Sequence, residues 1–312
     1  MTGRPIVIAH RGASGYLPEH TLAAKALAYG LGADFLEQDV IATRDHRLVV
    51  LHDVHLDDVT DVAQRFAGRH RDDGRHYVVD FDLAEIETLT VFERRAPASS
   101  AARFPSRFPA ATGISGVSTL ATELRLIQGL NKSMGRTVGV YPEIKDPRWH
   151  RQHGIDLAAL LLAEMATFGY KRAEDPAFVQ CFDARELVRV REELGCALPL
   201  IQLVEPTPEY AELLTADGLK RVARYAHGLG PSHSQLARGG SGRLRLTPLA
   251  ALARDCGLRL HPYTFRRDEL PSYAQTLEEL LEFFFVEARV EGVFCDHPDI
   301  AVRVRDRAFE VQ

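Results

Sequence analysis

The sequence predicts an α/β fold, a TIM-type (β/α)8 barrel with a small insertion. Three observations predict it. Short apolar runs alternate with longer segments of helical period, about eight such units follow one another, and the side chains fit for chemistry collect at the C-terminal ends of the apolar runs. Repetition on this scale favours a closed ring of strands over an open doubly wound sheet.

Taken in order, strands are expected at 5–10, 34–41 with a companion at 48–52, 138–144, 177–182, 198–204, 228–229, 258–265 and 292–295. Helices are expected between them at 19–29, 119–134, 154–168, 184–194, 217–225, 248–255 and 278–288. Capping chemistry supports the helices. Asp183 followed by Glu186 has capping-box spacing, and Thr247 before Pro248 reads as an N-cap ahead of a first-turn proline. Gly169, Gly195 and Gly257 follow helices, where a left-handed residue ends the last turn. The stretch 61–118 breaks the pattern, being rich in Arg, Asp, Ser, Pro and Gly and helical only at 83–89. It reads as an insertion on one domain spanning 1–312 rather than as a second domain.

A content of 46% hydrophobic and 26% charged residues excludes disorder, and a net charge of −5 without runs of like charge excludes nucleic acid as the indicated partner. The most apolar stretches, 157–162 and 280–286, fall short of the ~20 residues needed to span hydrocarbon, so no membrane insertion is expected. Cys181, Cys196, Cys256 and Cys295 are dispersed without a CxxC pair and are assigned neither metal nor disulfide. Met1–Pro5 runs directly into the first strand without a leader, so the chain as it stands reads as cytoplasmic; trimming of a leader would make it periplasmic or secreted.

The run Ile6–His10 puts Ile6, Ile8 and His10 on one strand face, so His10 ends the strand pointing inward, followed by Arg11, a forked cation suited to phosphate oxygens, and by Gly12. Glu37 and Asp39, two positions apart in a strand, share a face; flanking Leu36, Val40 and Ile41 argue against full exposure. Two buried anions call for a hard cation. Glu143 and Lys145 share a face at the end of another strand, adding one ligand and one cation for a phosphate oxygen or a developing alkoxide. An all-oxygen set favours Ca²⁺ or Mg²⁺ over zinc. His52 closes a further apolar run, and His10 and His52 together could take one proton and give another.

These fragments, His10-Arg11-Gly12, Glu37-x-Asp39, His52-Asp53 and Glu143-Ile144-Lys145, together resemble the glycerophosphodiester phosphodiesterase family. Residues 12–21, 56–62, 180–183 and 261–264 resemble its longer bacterial members, the periplasmic type that accepts many head groups. The resemblance runs from about Pro5 to Arg305. It implies hydrolysis of a small-molecule glycerophosphodiester to sn-glycerol 3-phosphate and an alcohol. It also implies one divalent cation, typically Ca²⁺, on Glu37, Asp39 and Glu143, with His10 and His52 as the acid/base pair and Arg11 and Lys145 on the phosphate. A cyclic phosphate formed by the substrate's own hydroxyl is implied too. Phe182 and Tyr263 resemble walls for the glycerol, and Gln180 and Gln202 polar lining; ordinary barrel filling is the competing reading of all four. Two other functions compete. A lipid phosphodiesterase on the same barrel would want an apolar rim or a basic membrane-facing helix, and a non-catalytic phosphate-binding barrel would lack a histidine or carboxylate that this chain retains.

Overall fold

The computed structural model describes residues 3–96, 99, 101–240 and 243–309; positions 97, 98 and 100 of the expected insertion, positions 241–242 and the chain ends lie outside the described residues. The apolar runs become strands covered on both faces, as in parallel sheets flanked by helices. Strand β1 (Ile6–Ala9) leads through α1 (Leu22–Gly30) to β2 (Phe35–Ala42), which turns back into β3 (Leu48–Val50). After α2 (Val62–Arg65), α3 (Leu83–Ile86) and α4 (Leu120–Met134) come β4 (Gly139–Ile144), α5 (Pro147–Gln152), α6 (Leu157–Thr167) and β5 (Val179–Cys181). The chain continues through α7 (Ala184–Glu192), β6 (Leu200–Val204), α8 (Ala216–Val222), β7 (Gly228–Pro231), α9 (His233–Leu236) and a hairpin, β8 (Ala237–Gly240) with β9 (Arg243–Leu246). It ends with α10 (Leu249–Asp255), β10 (Arg259–Leu260), α11 (Leu277–Glu282), β11 (Gly292–Cys295) and α12 (Pro298–Phe309).

Eight strands run parallel in the order β10-β7-β6-β5-β4-β2-β1-β11. The ring is nearly closed. Phe265 bridges Cys295 in parallel, and the Glu291 and Phe294 N–H groups donate to Leu260 and Pro262 across the seam. Outside the ring β3 pairs antiparallel with β2, and β8 pairs antiparallel with β9 in a separate hairpin. Ile8, Tyr141, Phe178, Ile201 and Phe294 fill the interior, with Tyr141 stacked on Phe178 at 4.8 Å and edge-on to Phe294 at 5.0 Å. The interior is therefore a packed floor, not a pore. A far larger apolar layer lies between strands and helices.

Threonine and aspartate side chains open several helices, Asp183 among them as expected. Thr21, Thr119, Asp156, Asp183, Thr215 and Thr276 each accept a backbone N–H of the first turn. Two details differ. Glu186 does not close a capping box, because Arg151 and Arg189 claim its carboxylate, and Thr247 gives its hydroxyl to the Gln235 carbonyl oxygen at 2.6 Å instead of capping α10. Short α5, α9 and the β8–β9 hairpin were not expected, nor was α12. Between β3 and α4 the chain leaves the ring, yet Val59, Phe81, Ile86, Leu89 and Val91 are buried in the common core.

Candidate active site

Strand register sets the site. Asp39 pairs with Glu143 and Glu143 with Gln180, so three inward side chains stand level on β2, β4 and β5. Ile8 pairs with Phe35, and the same offset brings His10 beside Glu37. The turn after β1 needs Arg11 at φ 58° and Gly12 at φ 86°, and it directs the Arg11 N–H to Glu37 Oε2 at 2.8 Å. His10, Arg11, Glu37, Asp39, His52, Glu143 and Lys145 all line one cleft of about 1250 Å³ at the C-terminal end of the barrel.

Glu37, Asp39 and Glu143 are nearly fully buried, and each offers an oxygen within 4.8 Å of the other two. Burial, with Asp39 and Glu143 alongside, pushes the Glu37 carboxyl well above its ordinary value. Burial also pushes Asp39 upward, but Lys145 and then His20 reverse this and hold it well below. Glu143 is raised by burial despite Lys145, whose Nζ lies 2.8 Å from Glu143 Oε1. Crowded anions and an unpartnered buried Asp39 Oδ1 are what an oxygen-liganded cation would relieve. The donor set fits Ca²⁺ or Mg²⁺.

The histidines are held alike. His10 Nδ1 lies 2.6 Å from Asp296 Oδ1, and His52 Nδ1 lies 2.7 Å from Asp53 Oδ1. Burial, against the pull of Asp296, lowers His10 to about 4; burial, Arg11 and Lys145 lower His52 to about 3. Both rings are then neutral near pH 7, each donating Nδ1–H to its carboxylate and keeping a lone pair on Nε2.

A sequence profile described as the glycerophosphoryl diester phosphodiesterase family matches residues 10–300. The chain belongs to this family. A Haemophilus influenzae protein named glycerophosphodiester phosphodiesterase is 39% identical to this family member, the match covering 97% of the chain and 90% of that protein. One of the same name from Treponema pallidum is 36% identical, covering 96% and 91%. A solved structure of a putative glycerophosphoryl diester phosphodiesterase from Silicibacter pomeroyi superposes with a TM-score of 0.76 at 25% identity, covering 98% of this chain and 95% of that one. An Oleispira antarctica phosphodiesterase solved in complex with the product sn-glycerol-3-phosphate shares the fold at a TM-score of 0.67 and 19% identity, covering 97% of both chains.

In this family member Gln180, Phe182 and Tyr263 line the cleft. Gln180 Nε2 donates to Glu37 Oε1 at 2.9 Å, and Phe182 stands edge-on to Tyr263 with ring centroids 6.0 Å apart. Gln202 is a correction. Ile201 packs into the barrel interior, so its neighbour points outward, where Gln202 accepts from the Tyr225 hydroxyl and donates to the Phe182 carbonyl oxygen. Sequence reasoning also missed residues. Asp296 follows β11 with the look of a cap before α12, while His20 and Lys25 sit around α1, where a buried polar residue leaves no periodic trace. Glu19 holds Arg11 through both carboxylate oxygens at 3.0 and 3.1 Å.

Proposed function

We infer that this chain hydrolyses glycerophosphodiesters to sn-glycerol 3-phosphate and an alcohol, using His10 and His52 as proton carriers and a divalent cation on Glu37, Asp39 and Glu143. The observation that carries this reading is the paired geometry of the histidines around the acidic cluster, each with Nδ1 on a carboxylate and both on one cleft. Family membership and the names of the bacterial relatives agree with it.

When bound, the cation supplies Lewis-acid polarisation of phosphoryl oxygens and eases ionisation of a nearby hydroxyl. The chain's own groups do the rest. Arg11 and Lys145 offer N–H donors to the phosphate, and Phe182 and Tyr263 give the glycerol an apolar wall. One neutral imidazole takes the proton of the glycerol hydroxyl as its oxygen bonds to phosphorus. The other, protonated once the phosphate anion raises its basicity, gives a proton to the departing alcohol oxygen. Water then opens the cyclic phosphate with the roles reversed.

The test is release of glycerol 3-phosphate from glycerophosphocholine. EDTA abolishes it and Ca²⁺ or Mg²⁺ restores it, while His10→Ala or His52→Ala lowers kcat by ~10²–10⁴-fold with the fold intact. Turnover indifferent to chelation removes the cation from the reaction, and near-normal turnover in either histidine variant removes that ring.

A further inference from the structure

Both histidine carboxylates are gripped from behind by one segment. Asp53 divides its oxygens, Oδ1 facing His52 and Oδ2 taking Arg94 Nη1 at 2.5 Å. Asp296 divides likewise, Oδ1 facing His10 and Oδ2 taking Arg107 Nη2 at 2.7 Å. Both arginines come from the stretch between β3 and α4 that leaves the ring. Arg94 also clamps Glu19 through Nε at 2.9 Å and Nη2 at 2.6 Å, and Glu19 in turn holds Arg11. Arg107 is bidentate on Asp268 at 2.7 and 2.8 Å, donates to the Ser14 carbonyl oxygen and lies 3.9 Å over the Phe104 ring. Their side chains are only 10% and 5% exposed, so neither pair is a solvated surface contact of the kind worth little.

We propose that Arg94 and Arg107 are positioning residues and that the segment carrying them completes the active site, fixing His52, Arg11 and His10 through Asp53, Glu19 and Asp296. This rests on the reading of the two histidines as proton carriers. A carboxylate bound at one oxygen can swing about its Cα–Cβ and Cβ–Cγ bonds, and the imidazole it orients swings with it. Bound at both oxygens, with a buried guanidinium neutralising it, it holds the ring in one tautomer and one direction. The two arms are unequal. Asp296 has a second cation, Arg266 Nε at 2.9 Å, whereas Arg94 is the one arginine bonded to Asp53 among the described residues.

The inequality makes the test specific. With glycerophosphocholine and saturating Ca²⁺, Arg107→Ala lowers kcat about 10-fold at unchanged KM, because only His10 is loosened and Arg266 remains. Arg94→Ala lowers kcat about 100-fold and also raises KM, because Arg11 is loosened with His52. Millimolar guanidinium restores part of the lost kcat in both alanine variants and leaves wild type unchanged. Arg65→Ala, in the same segment but with an exposed guanidinium paired only to Asp61 among the described residues, leaves both constants unchanged. Should Arg94→Ala fail to fold, Arg94→Lys carries the same test: a single ammonium cannot span Glu19 and Asp53, so kcat still falls. A lowered melting temperature with normal kcat and KM overturns the proposal and leaves the arginines as structural bolts. His10→Ala and His52→Ala run alongside. If they are inactive while the folded arginine variants turn over normally, the positioning role alone fails; if they are active, the proton-carrier reading fails and takes the proposal with it.

Discussion

His20 places Nε2 2.7 Å from Asp39 Oδ2 while its Nδ1 lies 3.3 Å from the Lys25 ammonium. Burial and the Lys25 charge lower His20 to about 4, so the ring is neutral and its proton sits on Nε2, donating to Asp39. The Asp39 carboxylate is thereby held at Oδ2 by a residue outside the candidate ligand set, which aims its unpartnered Oδ1. His20→Ala is expected to weaken Ca²⁺ affinity by about 10–100-fold, and Glu143→Gln by more, with modest effects on folding. Calorimetric Ca²⁺ titration measures both, and an unchanged affinity in Glu143→Gln excludes that carboxylate as a ligand.

Glu93 gives a pH signature. Its carboxyl is buried, with Oε2 unpartnered; burial and then the Glu19 charge raise it to about 7, only partly offset by Arg107 and the Arg94 N–H, with Asp296 adding to the rise. Between its ordinary value of 4.5 and 7, the folded chain keeps a proton that the unfolded chain has released, so stability falls as pH rises through this window. Glu93→Gln removes the effect. The variant's stability gain in urea titrations should grow between about pH 5 and 7.5 and level off at roughly 1–3 kcal/mol. A gain that does not change with pH would contradict a buried carboxyl.

Lys25 and Glu123 form an ion pair at 3.2 Å with both side chains fully buried. Lys25→Met leaves Glu123 without its cation and is expected to cost about 3–5 kcal/mol. Lys25→Met with Glu123→Leu should recover most of that, and urea unfolding of the double-mutant cycle reads the coupling. Additive losses would mean that the two charges stand independently.

Gly12 combines φ 86° with proximity to α1, and a Cβ there would lie 2.9 Å from the Ala24 carbonyl carbon. Gly12→Ala is expected to cost about 1–3 kcal/mol, since backbone on both sides must move. Because the same turn carries His10 and Arg11, kcat/KM should fall further than the loss of folded protein accounts for. Wild-type melting and kinetics would show that the turn tolerates a side chain.

Much of the ring and the reactive side chains could be read locally. His10, the Glu37/Asp39 pair and Glu143/Lys145 sit where alternation along a strand selects the inner face, and the structure puts all five on the cleft. Gln202 shows where that reasoning stops. The run 198–204 is buried on both faces, so the sequence carries no alternation to say which parity points inward. Asp296, Arg94 and Arg107 were illegible for another reason: each meets its partner across dozens to hundreds of positions, and a polar stretch such as 61–118 has no apolar period to place its charges. The final helix α12 was missed because its buried face, Ile300, Ala301 and Val304, is short and interleaved with arginines.

The pairing of the first and last strands of the ring has a temporal consequence. His10 follows β1 and its partner Asp296 follows β11, 286 positions later, on strands that pair side by side. A polypeptide still leaving the ribosome has made the imidazole long before the carboxylate that steers it exists. On the proton-carrier reading of His10, competence for turnover therefore waits until β11 has been made and has docked beside β1, and a chain halted before Asp296 is a poor catalyst by construction.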